Sequence, residues 1–241
     1  MQRIPKSLQT PFLHDAIVEL WFTPNVAAEL LPGMIYERLR GDWVFPAVNN
    51  AASFSFNWQQ ISARATSIPM LTCGPFQLTI NEGSVVFNVS GTYPGWASTY
   101  LPLLEKTLPK ILEDELVKPT RTSIRYVNHI PTDDVFGLVN HFEPQTLPHW
   151  KEMSQTVRWV LFREGVQAVI NLTSSQNLIK EDEQPYGIID TALHRVLPPT
   201  ADATNDDILN FFSSLHRLNK EILFGELLPE VFVEGFHPVY E

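Results

Sequence analysis

From His14 to Thr23 the chain alternates, with Ala16, Val18, Leu20 and Phe22 on one face and Glu19 and Trp21 on the other. A period of two is the pattern of a half-buried strand. Asn25 is placed to cap a helix running to Arg40, with Gly41 as its stop and Pro32-Gly33 breaking its middle. Strands follow at Ser53–Arg64, Phe76–Asn81 and Ser84–Ser90, the last two joined by a hairpin at Asn81-Glu82-Gly83. After Pro94-Gly95, apolar positions recur at helical spacing from Trp96 to Leu116. Pro102 and Pro109 fall opposite the apolar stripe, and a kink is expected near Pro102. Lys118-Pro119-Thr120 reads as a joint.

The second half repeats the order. Arg121–Ile130 alternates as a strand, and Pro131–Lys151 is loop-rich. Glu152–Arg163 and Val166–Ser174 form a hairpin turning at Glu164-Gly165. Ser175–Pro185 is a polar loop, Tyr186–Val196 is a strand, and Thr204 or Asn205 caps a final helix reaching Leu228. An offset of 112 positions brings Trp96 onto Ile208, Tyr100 onto Phe212, Leu103 onto Leu215 and Ile111 onto Leu223. These patterns predict an α+β protein of two pseudo-repeated halves, residues 1–118 and 119–241. Each half is a mostly antiparallel sheet packed against a long closing helix, and the two together form one compact unit.

Polar residues interrupt the apolar faces at a few places. With Ile208 at 0° and about 100° per residue, Asn219 falls at about 20°, in the middle of the final helix's stripe. The offset puts Thr107 at the same spot in the first helix. A buried amide must be hydrogen-bonded, so Asn219 reads as a helix-to-sheet tie or as a ligand-facing group. His216 lies at the stripe edge, either as a packing residue or as an acid/base group. Asp190 sits between isoleucine and alanine on one strand face, and Arg125 on the neighbouring alternating strand is its expected ion-pair partner. Tyr126, Asn128, Asp190 and Asn219 are the candidate lining of a ligand cleft between sheet and helix. Asp190 and His216 are the weak candidates for a catalytic pair.

Charge and motif content narrow the classes. The net charge is −10, and the 17 basic residues form no run or helical stripe, so no nucleic-acid partner is expected. No apolar stretch reaches membrane-spanning length, and a single cysteine, Cys73, forms no internal disulfide, which points to a cytoplasmic protein. On that reading the glycosylation-type triplets at Asn88 and Asn171 are coincidental. His129, Asp133, Asp134, His141 and His149 lie close in sequence but match no metal-ligand spacing. Neither a phosphate-binding glycine loop nor a serine nucleophile elbow occurs, and no metal or cofactor is expected.

The runs Ala16-Ile17-Val18-Glu19-Leu20-Trp21-Phe22, Tyr93-Pro94-Gly95-Trp96, Arg125-Tyr126-Val127-Asn128 and Ile189-Asp190 occur in this order, followed by Leu215-His216-x-x-Asn219-x-x-Ile222-x-Phe224. Together they resemble a sporadically distributed bacterial family of uncharacterised proteins of about this length, over nearly the whole chain. The resemblance implies no activity, cofactor or catalytic residue. Its patchy distribution fits an accessory role of the defence or toxin-neutralisation type. The leading expectation is a non-enzymatic binding protein, acting as a homodimer or with a protein partner, with Trp43, Trp58 and Trp150 as interface anchors. A small-ligand carrier and a hydrolase using Asp190 and His216 are the alternatives.

Overall fold

The computed structural model describes residues 3–45, 70–90, 92–132, 134–140, 156–174, 186–198 and 203–240. Two short strands, β1 (Ser7–Leu8) and β10 (Pro238–Val239), pair antiparallel. The other eight are β2 (Leu13–Pro24), β3 (Met70–Cys73), β4 (Phe76–Ile80), β5 (Ser84–Ser90), β6 (Val117–Ile130), β7 (Thr156–Arg163), β8 (Val166–Ser174) and β9 (Gly187–Val196). They form one antiparallel sheet in the order β3-β4-β5-β2-β6-β9-β8-β7. The fold is therefore mixed α+β with a large antiparallel sheet. From the central β2–β6 pair, the strands β5, β4 and β3 run outward on one side and β9, β8 and β7 on the other.

The helices are α1 (Leu31–Leu39), α2 (Leu101–Leu112), α3 (Val135–Leu138), α4 (Asn205–Lys220) and α5 (Glu230–Glu234). A wide π-helical turn, Trp96–Tyr100, leads into α2, and another, Glu221–Leu227, extends α4. Helices α2 and α4 lie on the sheet face that carries Val18, Leu20, Phe87, Ile124, Ile189 and Leu193, all at or near zero exposure. Tyr100 anchors this side, its hydroxyl donating to the Phe87 carbonyl at 2.7 Å. Asp42 ties α1 to α2 by accepting from Lys106 and, at 2.6 Å, from Lys110.

Several sequence expectations are corrected here. Asn25 does not cap α1. Its side chain donates to the Glu115 carbonyl at 2.6 Å, and the helix begins six residues later with Pro32 in its first turn, where a missing amide costs nothing. The expected kink at Pro102 is instead a change of helix type just ahead of it, because Pro102 also sits in a first turn. Lys118-Pro119-Thr120 is not a joint but lies inside β6, and Pro119 falls where the β2–β6 register shifts between Trp21 and Phe22. A proline is tolerated in a sheet at such an irregularity, where a ladder bond is already lost. Strand β3 and the β1–β10 pair escaped the pattern because each is too short to show a period. The expected strand Ser53–Arg64 lies outside the described residues.

The strongest local signals also hold in the fold. Glu164 and Gly165 both have positive φ, 51° and 78°, the two-residue turn that matches strand twist in a hairpin. Thr204 caps α4 in a reciprocal box. Its hydroxyl accepts from the Asp207 amide at 3.2 Å, and the Asp207 carboxylate accepts from the Thr204 amide at 3.0 Å. Thr204→Ala is expected to lower stability by about 1 kcal/mol in urea unfolding. An unchanged midpoint would show that the carboxylate of Asp207 suffices alone.

Candidate functional site

Strand alternation divides the polar residues between the two faces of the sheet. On the helix side, Asn219 is fully buried. Its amide nitrogen donates to the Thr191 hydroxyl at 2.9 Å, and that hydroxyl donates to the Asn219 side-chain oxygen at 3.1 Å. Asn219 thus ties α4 to β9. The aligned Thr107 is also buried and accepts from the Trp43 indole at 3.3 Å. Trp43 is only 1% exposed and packs edge-on against Phe87, so it is a core residue and not the surface anchor expected of it. Trp58 and Trp150 lie outside the described residues. Asn219→Ala should lower stability by about 1–3 kcal/mol, because it leaves the Thr191 hydroxyl without its partner. Unfolding of the variant at the wild-type urea midpoint would remove this assignment.

His216 and Tyr126 meet on the same side. The Tyr126 hydroxyl and His216 Nδ1 share a hydrogen bond at 2.7 Å, and the Trp96 ring stacks flat on the imidazole at 4.6 Å. Burial, with the nearby charge of Lys220, holds the His216 pKa down to about 4, so the ring is neutral near pH 7. Asn128 is buried and donates to the Ile189 carbonyl at 3.2 Å. Each of these groups is satisfied by protein.

Asp190 points the other way. It sits on the opposite face of the sheet, where it accepts from Arg125 Nε at 2.8 Å and Nη2 at 3.0 Å, and from the Asn171 amide at 3.1 Å. Arg125 and Tyr126 are neighbours on β6, so the sheet itself separates Asp190 from His216. The two cannot act on one substrate as an acid/base pair. For the same reason Tyr126, Asn128 and Asn219 do not share a cleft with Asp190. Two surface cavities, of about 350 and 210 Å³, are lined by other residues, including Lys110 and Asn205 in the first and Tyr36 and Phe45 in the second.

The face carrying Asp190 is the candidate functional surface. The helices α1 to α4 all pack on the other side. On the central strands this face presents Glu19 and Trp21 from β2, Arg121, Ser123 and Arg125 from β6, Asp190 and His194 from β9, and Asn171 from β8. Arg121 stacks over the Trp21 ring at 4.0 Å, and Trp21 is 36% exposed. Burial raises the Glu19 pKa, opposed by the Trp21 and Ser84 side chains and the charges of Arg121 and Arg125. At one end His129 is sandwiched between His14, at 4.1 Å, and Tyr186, at 4.5 Å. The result is a sheet face of donors, acceptors and charges of both signs, on which Ser123, Asn171 and Asp190 are buried and Trp21 is partly exposed.

Ser123 and His194 are direct cross-strand neighbours, 2.8 Å apart, a pair that alternation alone did not single out. They have the composition of a nucleophile and its base. Burial and the charge of Arg121 hold the His194 pKa down to about 4, which makes its imidazole a poor base at neutral pH. Of the loop residues weighed as metal ligands, Asp134 caps α3 by accepting from the Gly137 amide, and Asp133, His141 and His149 lie outside the described residues. Among the described residues no three histidine, cysteine or carboxylate groups converge to hold a metal. No helix among them is long and apolar enough to cross a membrane.

Compared with known proteins, the chain matches no family model and no curated protein.

Proposed function

We propose that this chain is a non-enzymatic binding protein that engages a protein partner through the sheet face opposite helices α1 to α4. The single observation behind this reading is the division of labour across the sheet. The helices α1 to α4 cover one face, while the other holds Glu19, Arg121, Arg125 and Asp190 in fixed positions beside the partly exposed Trp21. Fixed charges of both signs around an aromatic anchor suit a surface that reads the charge pattern of another protein. We further propose that the chain belongs to the sporadically distributed bacterial family it resembles, whose patchy distribution suits an accessory role of the defence or toxin-neutralisation type, and that it acts in the cytoplasm, where a single unpaired cysteine is at home.

The architecture is proposed to come from a duplication joining halves 1–118 and 119–241. The same outward strand order on both sides of β2–β6 supports this, as do the buried polar groups Thr107 and Asn219 at equivalent helix positions.

The test is a quantitative capture of partners from the native host with three baits: wild type, Trp21→Ser with Arg121→Gln, and Val231→Ser in α5 as a control. The partner should fall at least tenfold with the sheet-face variant and persist with the control. A partner retained equally by all three would sink the assignment, as would substrate turnover that depends on Asp190 or His216.

A further inference from the structure

The two ends of the sheet are built differently. The β3 edge is four residues long, and its outward groups are engaged, because the Val44 amide donates to the Thr72 carbonyl at 3.0 Å and the Thr72 amide to the Val44 carbonyl at 2.8 Å. The β7 edge is eight residues long, and among the described residues no strand lies beyond it. Val160, Leu161 and Phe162 follow one another along it at 44%, 48% and 77% exposure. Natural sheets blunt a long edge with charges, proline or a bulge, because an open ladder with apolar side chains recruits another strand. Strand β7 has no proline and pairs with β8 without a break in register.

We propose that β7 pairs with β7 of a second copy, antiparallel about a two-fold axis at Val160, so that two sheets become one continuous sheet. The backbone permits it. The two-residue turn makes Arg163 and Val166 a closing hydrogen-bonded pair, and alternation from there leaves the amides and carbonyls of Arg158, Val160 and Phe162 facing the open edge. The side chains choose the occupant. In this register Val160 meets its own copy, and Arg158 lies opposite Phe162 of the second copy on the same face, twice by symmetry, as a cation over an exposed ring. On the other face Trp159 lies opposite Leu161 of the second copy, and Val157 opposite Arg163. A two-fold axis at Arg158 would instead oppose two guanidinium groups. The strand supplies every neighbour it needs, as a self-complementary two-fold contact requires. The dimer would set the two charged sheet faces side by side.

The experiment uses the full chain and light scattering after size exclusion at roughly 100 μM, a concentration that saturates a micromolar dimer. Wild type should show twice the chain mass of 27.5 kDa. Val160→Lys and Val160→Glu should each run at the single-chain mass with unchanged circular dichroism, because position 160 is exposed and each copy repels its twin. Mixing the two variants should restore the dimer mass. A monomeric wild type, a dimeric single variant, or a mixture that stays monomeric would each overturn the proposal. Partner capture through Trp21 does not depend on this edge. Its loss in Trp21→Ser with the dimer intact, or its survival in Val160→Lys, keeps the two readings separable.

Discussion

Replacing Arg125 with alanine is expected to lower the free energy of unfolding by about 3 kcal/mol, toward the lower end of the range for a buried pair broken from one side. The reason lies with Asp190. Its side chain is 9% exposed, and Arg125 supplies two of its three side-chain hydrogen bonds among the described residues, the Asn171 amide being the third. Arg125 is itself a third exposed, so water entering the vacated space repays part of the loss. Arg125→Lys should recover little, because an ammonium cannot reproduce the two-pronged contact. Arg125→Met combined with Asp190→Leu should recover only part of the loss, since it removes both charges together but leaves the buried Asn171 amide without its acceptor. Urea unfolding of the four proteins measures this. A loss under about 1 kcal/mol for Arg125→Ala would mean that Asp190 is solvated and belongs to a wet surface instead of a held network.

Acid should destabilise the protein well above the pH at which exposed carboxylates titrate. His194 and His216 are both held down to about 4 from 6.5, chiefly by burial. Unfolding restores the ordinary value, so between pH 6.5 and 4 the unfolded chain binds more protons than the folded one. Stability is full above pH 6.5 and falls as the pH drops through that window. Each histidine contributes about 1–2 kcal/mol of loss by pH 5. Burial lowers His129 as well, which acts in the same direction. Glu19 opposes them, because its raised pKa favours the folded state at low pH and that contribution fades as the pH climbs above 4.5. Stability measured against pH for wild type and for His194→Gln with His216→Gln isolates the effect. The double variant should lose most of the slope between pH 7 and 5. An equal slope in both proteins would assign the acid sensitivity elsewhere.

The division between legible and hidden features follows from the range of the forces involved. Local alternation is enough to mark β2, β5, β8 and β9, because a strand buried on one face must repeat every second residue. Turn chemistry was equally plain at Glu164-Gly165, where both residues take positive φ. The Thr204 cap needed only its neighbour three positions on. Asn219 stood out because an amide in an apolar stripe demands a partner, although nothing in the helix named Thr191 as that partner.

What the chain alone could not decide is which face each polar residue shares with which other. Asp190 and His216 lie 26 residues apart and looked like a pair, yet the sheet stands between them. Trp43 followed a helix stop and read as an exposed anchor, but the return of α2 across the sheet buried it against Phe87 and Thr107. Ser123 and His194 came together only through the β6–β9 register. Spacing and side-chain chemistry determined the elements and their buried faces, because those depend on neighbours a few residues away. The pairing order of the strands, and with it the separation of a helix-covered face from a charged one, was decided by the tertiary structure, because contacts between residues distant in sequence leave no period in the chain.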